Sequence, residues 1–203
     1  MHIPQSDTSC LEILSYREAC EKSTSDSYDR ERWLYVPDFY TEYRYVLGTK
    51  GEHPVICVGI NPSTAEPDNL DPTLKSVSRI ADTNGYDSWL MFNVYAQRAT
   101  RPDDMDPVRN EQLHRENMEA FRALLERAAS CGGRPVVWAA WGAIIEKRAW
   151  LTDCVRDMRK AAEEYGADWV CAGNCSKRGH PHHPLYLRKD ERFHPFDIGG
   201  YLA

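Results

Sequence analysis

The sequence feature that most constrains the fold is an apolar, largely β-branched run at residues 55–58 that leads into Gly-Ile-Asn-Pro-Ser at residues 59–63. The run predicts a buried strand, and its proline ends the strand because proline has no backbone N–H. In open α/β sheets, ligands bind beside the loops that leave the carboxyl ends of central strands. Gly59 would let the backbone approach a flat ligand, and Asn61 offers both donors and an acceptor. An ordinary strand-end turn explains Asn-Pro equally well, so the interpretation depends on the strands that follow.

The composition predicts a single domain over residues 1–203, because a chain of this length with 42% hydrophobic residues can bury a substantial core. We divide it into an N-terminal helical extension (1–42), a core (43–190) and a C-terminal tail (191–203). The sequence has neither a signal-peptide pattern nor an apolar run of membrane-spanning length, so we expect a cytoplasmic monomer that does not contact membranes. The net charge of −6 argues mildly against a surface covered with nucleic-acid contacts, but a local basic patch remains compatible with it.

The cysteines and histidines predict neither a metal nor another cofactor. Seven cysteines occur without a Cys-x-x-Cys pair, which is typical of reduced thiols in a cytosolic protein. Three histidines within residues 180–183 could bind zinc, but prolines stiffen the segment and no carboxylate or thiol lies at ligand spacing. Four of the cysteines could ligate an iron–sulfur cluster, namely Cys10, Cys20, Cys171 and Cys175. Their spacing, however, matches no standard cluster-binding motif.

The order of apolar runs predicts strands that alternate with helices, which implies parallel strands joined by right-handed crossovers. The fold class is therefore α/β: a three-layer α/β/α sandwich with a mostly parallel, four-stranded central sheet and an antiparallel edge strand. The central strands are expected near residues 55–60, 88–94, 136–141 and 168–172, with the edge strand at 43–47 joined to the central strand by a hairpin turn at 48–52. Helices are expected around residues 8–21, 72–83, 110–129, 143–151 and 152–165.

Parallel strands place their carboxyl ends along one edge of a sheet. In this chain that edge would carry Asn61, Asn93, Gly142 and, in the loop after the fourth strand, His183. Polar residues with hydrogen-bonding side chains would thus come from three separate loops to one place.

Four loop motifs in this order resemble the uracil-DNA glycosylase superfamily: Gly-Ile-Asn-Pro-Ser at 59–63, Phe-Asn-Val-Tyr at 92–95, the Trp-Gly-Ala-containing stretch at 137–143, and His-Pro-Leu-Tyr-Leu at 183–187. A closer resemblance, to the bacterial and phage family DUF1643, is carried by residues 61–65, 71–73, 98–100 and 183–185. The resemblance covers roughly residues 43–190. The superfamily usually has glycine at the position of Ser63, and the Asp-Pro-Thr segment at 71–73 is not part of its general pattern.

The resemblance implies hydrolysis of an N-glycosidic bond, in which the sugar becomes oxocarbenium-like and negative charge gathers on the departing base. Asn61 would orient the water through its carbonyl oxygen, and Asn93 would pair with a donor and an acceptor on the base edge. His183 would donate a hydrogen bond to the leaving base. Asp71 could activate the water or steady the sugar, although the Asp-Pro-Thr pattern explains it fully as a helix N-cap.

Further contacts to a base or to DNA are expected from the same loops. A plainer explanation is open for each group: the basic residues form a solvated loop, Trp138 and Trp141 are packed side chains, and Asn93 caps a strand end. Base-binding residues are expected at Gly59, Ile60, Pro62, Ser63, Asn93, Tyr95 and Tyr186, and contacts to DNA phosphates at Lys177, Arg178, Arg188, Lys189 and Arg98.

The leading hypothesis is a DNA glycosylase that flips a base out of the stack, excises it and leaves an abasic site. Because the pocket motifs depart from the uracil type, a modified base is favoured, and the family context suggests antiphage defence. Two alternatives stay open: a hydrolase or binding protein for free nucleotides or nucleosides, and a non-catalytic nucleic-acid-binding module on the same fold.

Overall fold

The apolar run at residues 55–58 forms the middle of the sheet, as its β-branched composition requires. The computed structural model describes residues 8–203, so residues 1–7 of the predicted extension lie outside the described part. In chain order the elements are α1 (Tyr16–Lys22), β1 (Trp33–Val36), β2 (Val46–Thr49), β3 (Pro54–Gly59), α2 (Pro72–Thr83), β4 (Ser88–Asn93), α3 (Glu111–Ser130), β5 (Val136–Ala139), α4 (Ala149–Glu164), β6 (Asp168–Ala172), β7 (Phe193–Pro195) and α5 (Ile198–Tyr201), with short 3₁₀ turns at Pro102–Asp104, Gly142–Lys147 and Pro184–Tyr186.

The strands of the described chain form one seven-stranded sheet in the order β1-β2-β4-β3-β5-β6-β7. The neighbours β4-β3, β3-β5 and β5-β6 are parallel. The outer pairs β1-β2, β2-β4 and β6-β7 are antiparallel. The mixed α/β class is therefore confirmed, but parallel and antiparallel pairs are equal in number, so the sheet as a whole is not mostly parallel.

The antiparallel side of the sheet differs from the prediction in two ways. The strand expected at 43–47 is β2, at Val46–Thr49, and it pairs with β4 rather than through a hairpin with β3. It also lies inside the sheet, because the unpredicted strand β1 covers its other edge. Gly48 permits this pairing: its missing Cβ would lie 2.2 Å from the Trp89 carbonyl oxygen, so only glycine lets β2 approach β4 this closely.

Local capping explains where the helices begin. α2 begins as predicted after Asp71, whose Oδ1 accepts a hydrogen bond from the Leu74 N–H at 2.8 Å. α1 begins only at Tyr16, not near residue 8, because Ser15 and Glu18 form a capping box. The helix expected at 143–151 is a 3₁₀ turn up to Lys147, and α4 then begins at Ala149.

Helices lie on both faces of the sheet. Val55 and Cys57 of β3 pack with the apolar face of α2, whereas Ile56 and Val58 pack with α1, α3 and α4. Residues 8–42 supply β1 as well as α1, and residues 191–203 supply β7 and α5, so both segments add to the sheet and core. Within residues 8–203, no helix is both long enough and apolar enough to cross a bilayer.

Replacement of Gly48 by alanine should destabilise the fold by about 1–3 kcal/mol, because the new methyl group meets backbone atoms of β4 that cannot rotate away. The measurement is the free energy of unfolding in urea. Gly133→Ala is the matched control, since a Cβ there meets no atom within 4 Å and its stability should change little. Equal stabilities of the two variants would contradict the close approach of β2 to β4.

Candidate active site

A cleft of about 770 Å³ lies where the chain leaves the carboxyl ends of β3, β4, β5 and β6. Its walls are built by the loops after these strands and by the first turn of α2. The structure brings seven of the residues predicted for the site to this cleft: Asn61, Asn93, Asp71, His183, Ile60, Ser63 and Tyr186.

The other predicted residues do not line the cleft. Two of them, Gly59 and Pro62, are buried beside it. Lys177 and Arg178 precede the cleft residue His180 in the chain, and the side chains of the predicted phosphate contacts in this loop are exposed. The residues outside the lining are Gly59, Pro62, Tyr95, Arg98, Lys177, Arg178, Arg188 and Lys189.

The turn that carries Asn61 is fastened to the loop after β4. The Asn61 Nδ2 donates to the Ala99 carbonyl at 2.7 Å and to the Pro62 carbonyl at 3.0 Å. The Ala99 N–H in turn donates to the Pro62 carbonyl at 3.0 Å. Both hydrogens of the amide are therefore used, while Oδ1 forms no hydrogen bond with any described residue. The arrangement leaves the carbonyl oxygen of Asn61 available to a water molecule or a ligand in the cleft.

Arg98 supports this turn from inside, and it is not the phosphate contact that was predicted, because it does not line the cleft and both its Nη atoms are engaged. It is buried, its Nη1 donates to the Ser63 carbonyl at 2.6 Å, and its Nη2 donates to the Tyr35 hydroxyl at 3.0 Å. The expectation that Arg98 reaches a DNA backbone is corrected accordingly. Its guanidinium joins the loop at Ser63 to Tyr35 of β1 through two directional hydrogen bonds, as its planar fork allows.

Tyr95 also points away from the cleft. Its ring is fully buried against Trp150, and its hydroxyl donates to the Asp106 carboxylate at 2.8 Å. The same oxygen accepts the Asn110 N–H at 2.9 Å, at the start of α3. Tyr95 thus ties the loop after β4 to α3, and its predicted contact with a base is replaced by a structural role.

Asn93 ends β4 at the base of the cleft with both ends of its side-chain amide unpaired. Only 1% of the residue is exposed, and neither Nδ2 nor Oδ1 has a partner among the described residues. The strand-capping alternative therefore fails, since a cap would use one of these atoms. Leaving a buried donor or acceptor unsatisfied costs about 1–3 kcal/mol each, and such groups are rare in folded proteins. A ligand that presents an acceptor beside a donor would satisfy both.

Two neighbours position Asn93. Gly59 lies opposite it in the parallel ladder, and a Cβ on Gly59 would lie 3.1 Å from the Asn93 Oδ1 and 2.5 Å from the Met91 Cε. The absence of a side chain at Gly59 thus makes room for Asn93 rather than for the ligand itself. From α3, the fully buried Asn117 donates its Nδ2 to the Asn93 backbone carbonyl at 3.0 Å. The strand end is therefore fixed from two sides.

His183 lies on the opposite loop as a neutral imidazole with a defined tautomer. Burial lowers its pKa below the usual 6.5, and the nearby Asp71 carboxylate acts in the other direction but less strongly. The Leu185 N–H donates to its Nδ1 at 3.4 Å, so the proton of the neutral ring is on Nε2. Gly142 packs beneath it with a φ of +64°, a conformation that disfavours any other residue, and a Cβ there would lie 3.5 Å from the His183 Cβ.

Asp71 caps α2 and also lines the cleft. Its Oδ1 caps α2 through the Leu74 N–H, as the Asp-Pro-Thr pattern predicted. Its Oδ2 forms no hydrogen bond within residues 8–203, and the residue lines the cleft. A carboxylate oxygen held in place by the cap is thus free to face a ligand.

The match to known proteins is to a family without an assigned function. The DUF1643 profile, described as "Protein of unknown function", matches residues 44–185, well over half of the chain. The chain belongs to the DUF1643 family. The matched region runs from β2 to the His183 loop and so contains every strand end that builds the cleft. No curated protein and no solved structure matches the chain.

Arg44, the first residue of the DUF1643 match, is a cleft residue that the sequence analysis missed. Only 3% of it is exposed; its Nη1 donates to the Ala65 carbonyl at 2.8 Å, and its Nε is buried without a partner. Burial and the neighbouring Arg98 lower its pKa to about 9. The sequence analysis included Arg44 only in the edge strand expected at residues 43–47, so its only signal was a charge between two aromatic residues.

His180 was considered only as a zinc ligand and instead anchors the cleft loop of this DUF1643 protein. One ring nitrogen lies 2.7 Å from the Glu146 Oε1 and the other 3.0 Å from the Tyr201 hydroxyl. Glu146 also pairs with Arg178 at 2.6 Å. Because both nitrogens of His180 are engaged, the residue connects the loop to α5 and to the turn after β5. Across residues 8–203, no group of three potential ligands is arranged to hold a metal ion.

The lowered pKa of His183 makes a prediction about stability. As the pH falls, the unfolded chain binds a proton at this histidine before the folded chain does, so stability should fall from about pH 6.5 downwards. His183→Asn should remove this part of the acid loss, which urea unfolding between pH 7.5 and pH 5 would measure. Asp71→Asn keeps a capping side chain but removes the charge that favours the imidazolium, so it should steepen the loss. A pH dependence unchanged in both variants would contradict the buried neutral imidazole.

Proposed function

We propose that this DUF1643 protein is a DNA glycosylase that binds a flipped base in the cleft and hydrolyses its N-glycosidic bond. The observation that carries the proposal is the buried, unpaired amide of Asn93 in a cleft that also contains Asn61 and a neutral His183. The order of the four loop motifs, which resembles the uracil-DNA glycosylase superfamily, agrees with it. The reaction adds water across the bond between the sugar and the base, so that the sugar keeps a hydroxyl and the base leaves with a proton.

Recognition of the base is assigned to Asn93. A nucleobase edge presents a hydrogen-bond acceptor next to a donor, and a side-chain amide matches that pair with its NH₂ and its carbonyl oxygen. A base that is flipped out of the stack loses the hydrogen bonds to its paired base, so its edge needs new hydrogen-bond partners in the pocket. The two unsatisfied atoms of Asn93 supply them and gain the hydrogen bonds that the folded chain lacks.

Positioning of the water is assigned to Asn61. Its Nδ2 is held by two backbone carbonyls, so Oδ1 has a fixed direction and can accept a hydrogen bond from water. Such a preorganised acceptor raises the rate because its orientation requires no rearrangement in the transition state. The Oδ2 of Asp71, held in place by the helix cap, is the group that would take the proton of the water or steady the positive charge on the sugar.

Stabilisation of the departing base is assigned to His183. The leaving base carries negative charge on an oxygen, and a neutral imidazole with its proton on Nε2 donates a hydrogen bond to it. The lowered pKa matters here, because the ring is neutral at physiological pH and needs no counter-ion inside the cleft. In this proposal Asn61 orients the water, Asn93 binds the base edge, and His183 donates a hydrogen bond to the leaving base.

A modified base is the substrate that the cleft favours. Its volume of about 770 Å³ lies within the range of about 300–1,000 Å³ that is typical of pockets for drug-sized ligands. A natural pyrimidine is smaller than such ligands, whereas a base that carries a bulky substituent approaches their size. Bases of this kind occur in phage DNA, so the activity would serve antiviral defence.

The rim of the cleft carries two exposed apolar side chains. Leu185 is 45% exposed and Tyr186 is 79% exposed, although such residues are usually buried. Proteins that distort duplex DNA often insert an apolar side chain between bases and so fill the gap in the stack. A pair of apolar side chains beside a base pocket is suited to hold a duplex open after flipping.

A hydrolase for free nucleotides is the second candidate, because the charge of the chain favours a small anion over DNA. The net charge is −6, and two of the predicted phosphate contacts are already paired with carboxylates. Arg178 pairs with Glu146 at 2.6 Å, and Arg188 pairs with Asp190 at 3.3 Å. These pairs reduce the positive potential at the rim, although exposed pairs exchange partners at little cost.

The first test is incubation with natural and phage-modified DNAs, followed by alkaline cleavage and mass spectrometry of the released bases. Wild-type protein should release one class of base. Asn61→Ala should slow single-turnover release by about 10²–10³-fold, the usual effect of removing one positioned polar group at a reacting centre. Asn93→Asp replaces a donor with an acceptor and should change which base is released.

Pro102→Ala is the matched control, because it alters the cleft wall without changing a hydrogen-bonding group at the site. Release of free base from nucleosides or nucleotides but not from DNA would favour the second candidate. Full activity of Asn61→Ala and unchanged base preference of Asn93→Asp would refute the assigned roles.

The second test concerns the rim. Charge reversal at Lys177, Arg178, Arg188 or Lys189 should weaken DNA binding, and each lost phosphate contact should reduce the slope of log affinity against log salt by about one unit. Fluorescence anisotropy over a salt series measures both. Lys160→Glu, on the exposed side of α4 and outside the cleft lining, is the control and should leave the slope unchanged. An unchanged slope in all four rim variants would exclude this loop as the DNA contact.

A further inference from the structure

Arg44 and Arg98 are two guanidinium groups buried next to each other without a carboxylate partner. They are 3% and 5% exposed, and neither forms an ion pair with a residue in the described chain. Buried charges are normally paired, because removal of an ion from water without compensation is expensive. Asp71 and Glu66 act on Arg44 only through their fields, from beyond ion-pairing distance. Among residues 8–203, therefore, no carboxylate directly contacts either of these two buried guanidinium groups.

The Nε of each arginine is buried without a partner, and the two residues differ in their Nη atoms. Arg98 uses both Nη atoms, one for the Ser63 carbonyl and the other for the Tyr35 hydroxyl, and does not line the cleft. Arg44 uses only Nη1, for the Ala65 carbonyl, and it lines the cleft. Its Nη2 has no hydrogen-bond partner within residues 8–203, and its Nε is buried and unpaired. The donors that Arg44 leaves unmet are therefore Nε and Nη2, on a residue that lines the cleft.

We propose that Arg44 forms an anion subsite in the cleft and binds a phosphate group of the substrate. Guanidinium groups bind phosphate strongly because their donors match its oxygens in pairs. The assignment of the anion to the substrate's phosphate rests on the proposed function, whereas the subsite itself rests on Arg44 alone. The phosphate is a diester in DNA and a monoester in a free nucleotide.

Other donors of the same wall complete the subsite. The Ser63 hydroxyl forms no hydrogen bond with a described residue, and Ser63 and Thr73 both line the cleft beside Arg44. Thr73 lies in the first turn of α2, a helix of 12 residues whose N-terminus favours negative charge. Asp71 also lies there and repels an anion, so Arg44 and Ser63, rather than the start of α2, are the proposed phosphate contacts. The arrangement would orient the nucleotide so that its base points to Asn93.

The test is the affinity for inorganic phosphate, measured by titration calorimetry at constant ionic strength. Arg44→Gln should bind phosphate at least tenfold more weakly than the wild type. Arg79→Gln is the matched control, because Arg79 also has a buried, unpaired Nε but lines a separate, smaller cleft. Its phosphate affinity should equal that of the wild type. Equal phosphate affinity of Arg44→Gln and the wild type would overturn the proposal.

Two further variants keep the test decisive if Arg44→Gln fails to fold. Arg44→Lys keeps the charge but loses the paired donors, and Ser63→Ala removes one hydroxyl from a partly exposed loop. Both should weaken phosphate binding, the first by more than the second. Unchanged affinity in both would overturn the subsite.

Two probes then identify the source of the phosphate. Thymidine 5′-monophosphate carries a monoester, and an eight-nucleotide thymidine strand without terminal phosphates carries only diesters. Weaker binding of the strand by Arg44→Gln supports a DNA substrate, and weaker binding of the monophosphate alone supports a nucleotide. Phosphate binding that depends on Arg44, without base release from any DNA, would refute the glycosylase and leave the subsite standing. Base release from DNA, together with phosphate binding that does not depend on Arg44, would refute the subsite and leave the glycosylase standing.

Discussion

The site depends on the parallel, in-register pairing of β3 with β4. Gly59 and Asn93 are opposite each other at the last step of this ladder, so both loops leave the sheet at the same level. Hydrogen bonds continue past the strands, from the Val94 N–H to the Gly59 carbonyl at 2.8 Å and from the Tyr95 N–H to the Ile60 carbonyl at 3.0 Å. The loops that carry Asn61 and Asn93 are therefore extensions of the sheet, and the side chains inherit its rigidity.

The site also contains buried polar atoms that have no hydrogen-bond partner among residues 8–203. The Asn93 amide contributes two buried, unpaired atoms, and the Nε of Arg44 contributes another. At about 1–3 kcal/mol each, such groups are large against a typical stability of about 5–15 kcal/mol. They are tolerated because the sheet is covered by apolar helices on both faces. Asn93 and Arg44 line the same cleft, as the polar groups of a preformed binding site do.

The sequence predicted the elements whose signals are local. α2 has its cap and proline at residues 71–72, and the apolar runs of β3 and β4 need no partner to be recognised. β1, at Trp33–Val36, was missed because it is short and follows polar residues, so its pairing with β2 alone makes it a strand. The same limit applies to β7, of three residues, which adds to the edge of β6.

The site was predictable to the extent that strand order determines it. Parallel strand ends brought Asn61, Asn93 and His183 to one cleft, whereas the directions of individual side chains depend on packing. Tyr95 is polar and follows a strand end, yet its hydroxyl reaches inward to Asp106. Arg44 was not predicted for the site, because charged residues are mostly exposed and only its neighbours in the folded chain bury it.

The distribution of charge differs between the rim and the interior of the cleft. The rim cations Arg178 and Arg188 are paired with carboxylates, and the chain as a whole is acidic, so long-range attraction of a polyanion is weak. Within residues 8–203, Arg44 carries a positive charge without an ion-pair partner, and because it is buried at the wall of the cleft its electrostatic interactions are stronger than those of an exposed group. Under the proposed function, the fit of one phosphate and one base edge within the cleft would select the substrate more than attraction to the surface would. Such a site discriminates between substrates by the polar groups that would be left unpaired by the wrong one.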